Sequence, residues 1–332
     1  MIRLGIWTPL PHTIRPEPEI DRALDDLQTR GQGLAQDRSF QFALNAVQEA
    51  EAIGFDITLV AERLVAADLE AWVVSSALAA LTSKIEIMTA VHPGIITPQL
   101  AAKMGASLDR LSGGRFAINV VPGRRMQEFD LYGNGGWVPK GHEHYTRIGE
   151  FIQVMKAMWT QDEFSFQGQF YQAQSASMLT KTMRSPHPPV YAASGAPEGM
   201  EIIARECGVW FVTYGDGIDA YEENLVRISR DIEDMKARAA RHKREIGFGI
   251  STLIACSDDP SALIADARAF SKDPLHNVPI KALGAGLIGT PQIIADRIRR
   301  YEDMGMGLLM LQFHPFMQGL RQFADRVMPL LK

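Results

Sequence analysis

Three histidines follow predicted β-strands at positions where a side chain can act on a bound molecule. His12 comes after the first strand, His92 after the third and His314 after the eighth. Because imidazole changes its charge near neutral pH, each of these residues could donate or accept a proton in catalysis. The alternative for each is a structural or solvent-exposed histidine.

A turn of small residues has the composition of a phosphate-binding element. Ser194, Gly195 and Ala196 follow the fifth predicted strand and precede a helix near Glu198. Backbone N–H groups at a helix N-terminus attract anions, and the Ser194 hydroxyl is a further donor. We therefore interpret this turn as a candidate cofactor site.

The elements that position these residues alternate along the chain. Short apolar, β-branched runs are followed by segments of helical period, which is typical of βα repeats around a parallel sheet. Eight strands indicate an α/β fold of the (β/α)8-barrel (TIM barrel) class, in a single domain over residues 1–332. The predicted strands are Leu4–Thr8, Ile57–Ala61, Ile85–Ala90, Phe116–Val121, Val190–Ala193, Trp210–Thr213, Phe248–Ala255 and Leu308–Gln312.

Three long connections follow strands 1, 4 and 7, at Pro9–Ser39, Pro122–His142 and Ser257–Gly289. Loops after the strands of such a barrel lie on its catalytic face, so we expect these insertions around the site. A fourth irregular segment, Phe164–Pro188, contains the run FSFQGQFYQ. We expect it to form a small hairpin at the opposite face.

Composition argues against several classes of function. The net charge of −5 comes from intermingled acidic and basic residues, so no basic stripe is present that would bind nucleic acid. No apolar run approaches the roughly 20 residues of a membrane helix, and we expect a cytoplasmic protein. Cys207 and Cys256 are far apart, which predicts buried thiols and no metal site.

The segment TPQLAAKMGASLDRLSGGRFAINVVPG resembles the most recognisable stretch of the luciferase-like flavin monooxygenase superfamily. The resemblance covers nearly the whole chain, and within the superfamily it is strongest to dimethylsulfone and alkanesulfonate monooxygenases. Its motif residues are Asp109, Ser112, Gly114, Arg115, Asn119 and Gly123, with further blocks at Glu143-His144-Tyr145, Glu150-Phe151, FSFQGQFYQ and GLIGTPQIIADRI.

This resemblance implies a two-component enzyme. A separate NAD(P)H:flavin reductase would supply reduced FMN, which with dioxygen would oxidise a small organosulfur compound, either a sulfone or an alkanesulfonate. The resemblance also implies a homodimer or larger homo-oligomer, formed through helices near the second and third barrel units. The segment Trp72–Leu81, apolar on more than one face, suits that role.

The resemblance assigns roles to individual residues. Asn119 corresponds to a residue that hydrogen-bonds the isoalloxazine edge, and Tyr145 to one that binds the flavin phosphate. Gly123 and the turn from Ser194 through Gly195 to Ala196 complete the implied flavin site. His12 corresponds to a site histidine of the alkanesulfonate enzymes.

The sequence also departs from the family pattern. Pro122 and Ala196 stand where members commonly have hydroxyl residues, and Ser251 and Leu253 stand where alkanesulfonate enzymes have an arginine and a histidine. Loss of these two groups favours a less charged substrate such as a sulfone, and it also fits a substrate outside sulfur chemistry. Two other functions remain open, a deazaflavin-dependent oxidoreductase on the same barrel and a catalytically silent flavin-binding or partner paralogue.

Overall fold

The computed structural model describes residues 2–13, 21–23, 25, 27, 37–121, 142–215, 217, 220–259, 261 and 283–332. Within these residues all eight predicted strands are present, with ends that move by no more than two residues. They are β1 (Arg3–Trp7), β2 (Ile57–Val60), β3 (Glu86–Val91), β4 (Phe116–Val120), β7 (Val190–Ala193), β8 (Val209–Phe211), β9 (Gly247–Cys256) and β11 (Leu308–Phe313). The remaining strands are β5 (Phe164–Gln167), β6 (Gln172–Ala176) and β10 (Ile288–Gly289).

Helices follow the strands, and their starts and stops match the local chemistry. They are α1 (Arg38–Ile53), α2 (Ala71–Leu81), α3 (Pro98–Leu111), α4 (His142–Thr160), α5 (Pro197–Glu206), α6 (Tyr221–Arg241), α7 (Pro291–Asp303) and α8 (Phe316–Arg326). Thr97 and Thr290 cap helices that begin with proline, and Gly54 ends α1 with a left-handed φ of 108°. No helix in the described part of the chain is long and apolar enough to cross a membrane.

The chain falls into two compact units. The first comprises Met1–Thr58, Val212–Asp234 and Gly247–Lys332. Its strands follow the order β10-β9-β11-β1-β2, and β11 pairs in parallel with both β9 and β1. Phe313, the last residue of β11, packs its ring against Phe316 and Phe323 of α8, so this side of the strand faces the helical layer.

The second unit comprises Leu59–Phe211 and Met235–Ile246. Its strands follow the order β2-β3-β4-β7-β8, with parallel pairing from β3 onward. Asn119 on β4 lies opposite Ala90 on β3 and Tyr191 on β7. Since parallel strands end at the same edge, the residues after β2, β3, β4 and β7 are brought to one side of this unit.

The most recognisable motif of the sequence forms a scaffold at the turn from α3 to β4. Asp109 is fully buried, and its carboxylate accepts hydrogen bonds from the backbone N–H groups of Met183 (2.6 Å) and Arg184 (3.0 Å). The guanidinium of Arg115 donates to the carbonyl oxygens of Ser112 (2.7 Å) and Ile85 (2.8 Å), among others. The motif residues therefore join neighbouring segments of the second unit.

The run FSFQGQFYQ forms the predicted hairpin, β5 paired with β6. The expected location of its tip, at the face opposite the strand ends, is wrong. The carboxylate of Glu150 accepts three backbone N–H groups of the tip, from Gln169 to Tyr171, at 2.7 to 3.1 Å. The Tyr171 side chain lies beside the backbone of Gly94, in the turn that follows the carboxyl end of β3.

Most residues of the three insertions lie outside the described part of the chain. Pro122 and Gly123 are among them. Both cysteines are buried thiols, as predicted. Burial raises the pKa of Cys207 to about 12, so this side chain behaves as a small apolar group at neutral pH. The described residues contain no cluster of His, Cys, Asp and Glu that could hold a metal ion.

Candidate active site

Ser194 and Tyr145 meet over the first turn of α5. A Cβ atom built on Gly199 would overlap the Ser194 hydroxyl and would lie 2.7 Å from Cε1 of Tyr145. Both side chains therefore contact the same face of the helix, and only a glycine leaves room for them. The structure thus brings together two of the residues that the sequence assigns to the cofactor site.

The turn before α5 is tied down by hydrogen bonds that Ser194 accepts, and the helix after it has no side-chain cap. Ser194 is buried, its Oγ accepts from the backbone N–H of Ala196 at 3.2 Å, and its carbonyl accepts from Nε1 of Trp210 at 3.0 Å. Ala196 occupies the N-cap position, where its methyl group cannot accept a hydrogen bond from the helix. Pro197, the first residue of α5, has no N–H, so the uncapped donors that could face an anion are the N–H groups that follow it.

Asn119 lies at the same edge of the second unit as Ser194. It pairs with Tyr191, three residues before Ser194 on the neighbouring strand. Its Oδ1 atom is buried and accepts no hydrogen bond from the described residues. A buried acceptor without a donor costs about 1–3 kcal/mol, so this atom suits a ligand N–H group.

The other predicted site residues do not all lie beside Ser194. Gly195 is exposed beside Ser194, while His92 is buried after β3 with Nε2 3.4 Å from the carbonyl oxygen of Glu62. His12 and His314 belong to the first unit, follow β1 and β11, and are both half-buried. Their positions after strand ends agree with the sequence expectation, and their roles remain predictions.

A buried cation also lies at this edge, and the sequence reasoning did not identify it. The guanidinium of Arg147 on α4 packs against the turn after β3, where a Cβ on Gly94 would lie 2.5 Å from its Nη1. Burial lowers the pKa of Arg147 and raises that of its neighbour Tyr171 to about 12. No local pattern marks Arg147, because residues two apart on a helix point in different directions and its burial depends on the turn after β3.

Glu62, two residues after the end of β2, is a second residue that the sequence did not single out. Its carboxylate accepts the backbone N–H of Ala71, the first residue of α2, at 2.9 Å. Burial, with smaller contributions from Glu70 and Asp68, raises its pKa to about 7. A carboxyl group with a pKa of about 7 can hold or release a proton at this edge, and the backbone carbonyl of the same residue contacts His92.

Glu62 makes stability depend on pH with a definite sign. Because the folded-state pKa of about 7 exceeds the ordinary value of 4.5, the folded chain binds more protons than the unfolded chain between these values, and the free energy of unfolding falls as pH rises through them. Glu62→Gln removes this fall. Between pH 4.5 and pH 8 we expect the free energy of unfolding of the variant to rise by about 1–2 kcal/mol relative to that of the wild type. This value is reduced to allow for the partial solvent exposure of Glu62.

Urea unfolding at a series of pH values measures this difference. Glu70→Gln is the matched control, because Glu70 caps the same helix through the N–H of Val73 but is exposed. Its substitution should change the pH dependence far less. Parallel stability curves for Glu62→Gln and the wild type would show that burial does not perturb Glu62.

The chain is similar in sequence and in structure to known monooxygenases. An FMNH2-dependent dimethylsulfone monooxygenase from Pseudomonas putida is 29% identical over 331 residues, covering 90% of this chain and 86% of that enzyme. A long-chain alkane monooxygenase superposes with a TM-score of 0.78 at 15% identity, covering 99% of this chain and 91% of the other. EDTA monooxygenase from Chelativorans sp. BNC1 gives 0.77 at 16% identity, covering 99% and 93%.

The fold predicted from the sequence, a (β/α)8 barrel, is confirmed by these structures. The family model for luciferase-like monooxygenases matches residues 24–280, which is more than half of the chain. Together with the eight βα repeats, this match establishes that the chain belongs to the luciferase-like monooxygenase family.

Proposed function

We propose that the protein is an FMNH2-dependent monooxygenase that oxidises a small organosulfur compound, with sulfones favoured over alkanesulfonates. The observation that carries the proposal is the convergence of Ser194 and Tyr145 over the first turn of α5. Similarity to a dimethylsulfone monooxygenase supports both the cofactor and the substrate class. A separate NAD(P)H:flavin reductase supplies the reduced cofactor.

The described residues fit FMN at both ends of the cofactor. The Ser194 and Tyr145 hydroxyls and the N–H groups that follow Pro197 in α5 would hold the phosphate, and the buried Oδ1 of Asn119 would accept a hydrogen bond from an N–H group of the isoalloxazine edge. When bound, reduced FMN supplies the electrons with which dioxygen is converted to an oxygenated product and water. The chain positions this group and shields it.

The histidines and Glu62 supply proton-holding groups. His92 and Glu62 adjoin each other at the ends of β3 and β2, and Glu62 can carry a proton near neutral pH. His12 is held in the turn after β1 by Thr13, whose hydroxyl accepts the backbone N–H of Leu10 at 2.9 Å. We assign His12, His92 and His314 to proton transfer with the substrate.

A reductase-coupled assay tests the function. With FMN, NADH, an FMN reductase and dioxygen, we expect oxidation products from dimethyl sulfone, identified by mass spectrometry, and little or no product from ethanesulfonate. If products form only from nitrogen heterocycles, the substrate is not an organosulfur compound. Preferential saturable binding of a deazaflavin would indicate the hydride-transfer alternative, and absence of saturable FMNH2 binding would indicate a silent paralogue.

Gly199→Ala tests the flavin site. The added methyl group displaces the Ser194 hydroxyl and the Tyr145 ring, although alanine itself favours a helix. Loss of two hydrogen-bond donors at about 1 kcal/mol each predicts roughly 30-fold weaker FMN binding. Quenching of flavin fluorescence on titration with the protein measures the affinity.

Gly208→Ala is the matched control for this substitution. The nearest atom to a Cβ at Gly208 is the carbonyl oxygen of Val190 at 3.8 Å, so a methyl group fits there without displacement. We expect wild-type FMN affinity for this variant. Equal affinity for both variants would place the phosphate elsewhere.

We also propose that the chain forms a homodimer through α2. Val73 and Leu81 on this helix expose 67% and 46% of their surface, which would leave apolar area in water unless a second copy covers it. Val73→Glu should convert the dimer to a monomer, as measured by light scattering. A wild-type mass of one chain would contradict the proposal.

A further inference from the structure

The first unit contains a layer of side chains near the carboxyl ends of three adjacent strands. Gly5 on β1 pairs with Met310 on β11, which pairs with Ser251 on β9. Two residues further along each strand are Trp7, Gln312 and Leu253, and Gln312 is paired with Leu253. In a parallel ladder, residues at corresponding positions lie at the same level.

The side chain of Gln312 points away from the helical layer. A Cβ on Gly5 would overlap the Met310 sulfur, so Gly5 and Met310 face the same side of the sheet. Side chains alternate along a strand, and Gln312 therefore faces the Met310 side, while Phe313 faces α8. Trp7 shares this inner side, since its Nε1 donates to the Ser251 hydroxyl at 2.8 Å.

Gln312 carries a buried donor that the described residues leave unused. The residue exposes 3% of its surface, and its Nε2 finds no acceptor among residues in the described part of the chain. Its polar neighbours already bind one another, because Ser251 accepts from Trp7 through its hydroxyl and from the Tyr214 hydroxyl through its carbonyl. A buried amide N–H group without an acceptor lowers the stability of the protein by about 1–3 kcal/mol, and a bound acceptor would remove this penalty.

The chemistry of this layer selects the kind of acceptor. Trp7, Ser251, Leu253 and Gln312 are all uncharged, and the indole and amide groups donate hydrogen bonds without carrying a full charge. An oxygen atom of a neutral sulfone would gain a hydrogen bond from the Gln312 amide in this layer. A sulfonate would have to lose its water without gaining a cationic partner from these four side chains, which is unfavourable.

We propose that Gln312 binds substrate through a hydrogen bond from Nε2 to an oxygen of a neutral sulfone and thereby selects sulfones over sulfonates. This inference rests on the proposed function. It assigns to Gln312 a contact in the substrate complex and a share of the specificity. The oxidation chemistry itself does not pass through the amide.

The test compares Gln312→Met with the wild type, since methionine has a similar volume and no donor. With the FMN-loaded protein, calorimetric titration with dimethyl sulfone should show about 10- to 100-fold weaker binding for the variant. In the coupled assay KM for dimethyl sulfone should rise by a similar factor, with a smaller change in kcat. FMN affinity should be unchanged, and the melting temperature should be equal or higher because an unsatisfied amide has been removed.

Gln318→Met is the matched control, because Gln318 is exposed on α8. It should bind dimethyl sulfone as the wild type does. Equal sulfone affinity for Gln312→Met and the wild type would overturn the assignment, and so would wild-type protein that does not bind dimethyl sulfone. Sulfone binding that depends on Gln312 without any oxidation product would uphold the assignment and reject the proposed function.

Discussion

The guanidinium of Arg115 fixes the starting points of β3 and β4, and the geometry of the candidate site in the second unit depends on it. Besides Ser112 and Ile85, it donates to the carbonyl oxygens of Ala79 (2.9 Å) and Thr82 (3.1 Å). A planar fork of donors ties the end of α2 to the turn before β4 in a way that the single ammonium of a lysine cannot. The register that follows places Asn119 beside Tyr191. The family's most recognisable motif thus acts at the amino ends of the strands, away from the carboxyl ends where the candidate site lies.

The hairpin of β5 and β6 contributes a second constraint on the same edge. Glu150 binds the backbone of its tip and so places Tyr171 beside Gly94 and Arg147. A buried guanidinium requires compensation from surrounding dipoles and charges, and the tip helps to provide it. Gly94 adopts a φ of 100°, which a side chain would strain, and any side chain there would also meet Arg147. The turn after β3, which carries His92, is therefore defined by contacts from two other elements.

Local patterns in the sequence were sufficient for the strands and for part of the candidate site. A strand buried on both faces gives a short apolar run, and the turn from Ser194 to Ala196 signals a helix start through proline and small residues, so both could be recognised without tertiary information. Glu62 and Gln312 could not be recognised from local sequence patterns. The raised pKa of Glu62 comes from burial after β2, and the burial of the Gln312 amide comes from which side of β11 faces inward. Both properties depend on the packing of residues distant in sequence.

The composition of the candidate phosphate cradle also bears on how the enzyme receives its cofactor. As proposed, the cradle would consist of the Ser194 and Tyr145 hydroxyls and the N–H groups of a helix end, and each such uncharged contact contributes about 0.5–1.5 kcal/mol. A helix N-terminus adds about 0.3–1 kcal/mol for an anion near the surface. Contacts of this size sum to moderate affinity and permit exchange. Exchange is what the proposed two-component enzyme would need, since its flavin would enter reduced and leave oxidised in every turnover. The alanine at the cap of α5, a departure from the family pattern, is consistent with such a cradle, because its side chain accepts no hydrogen bond from the helix.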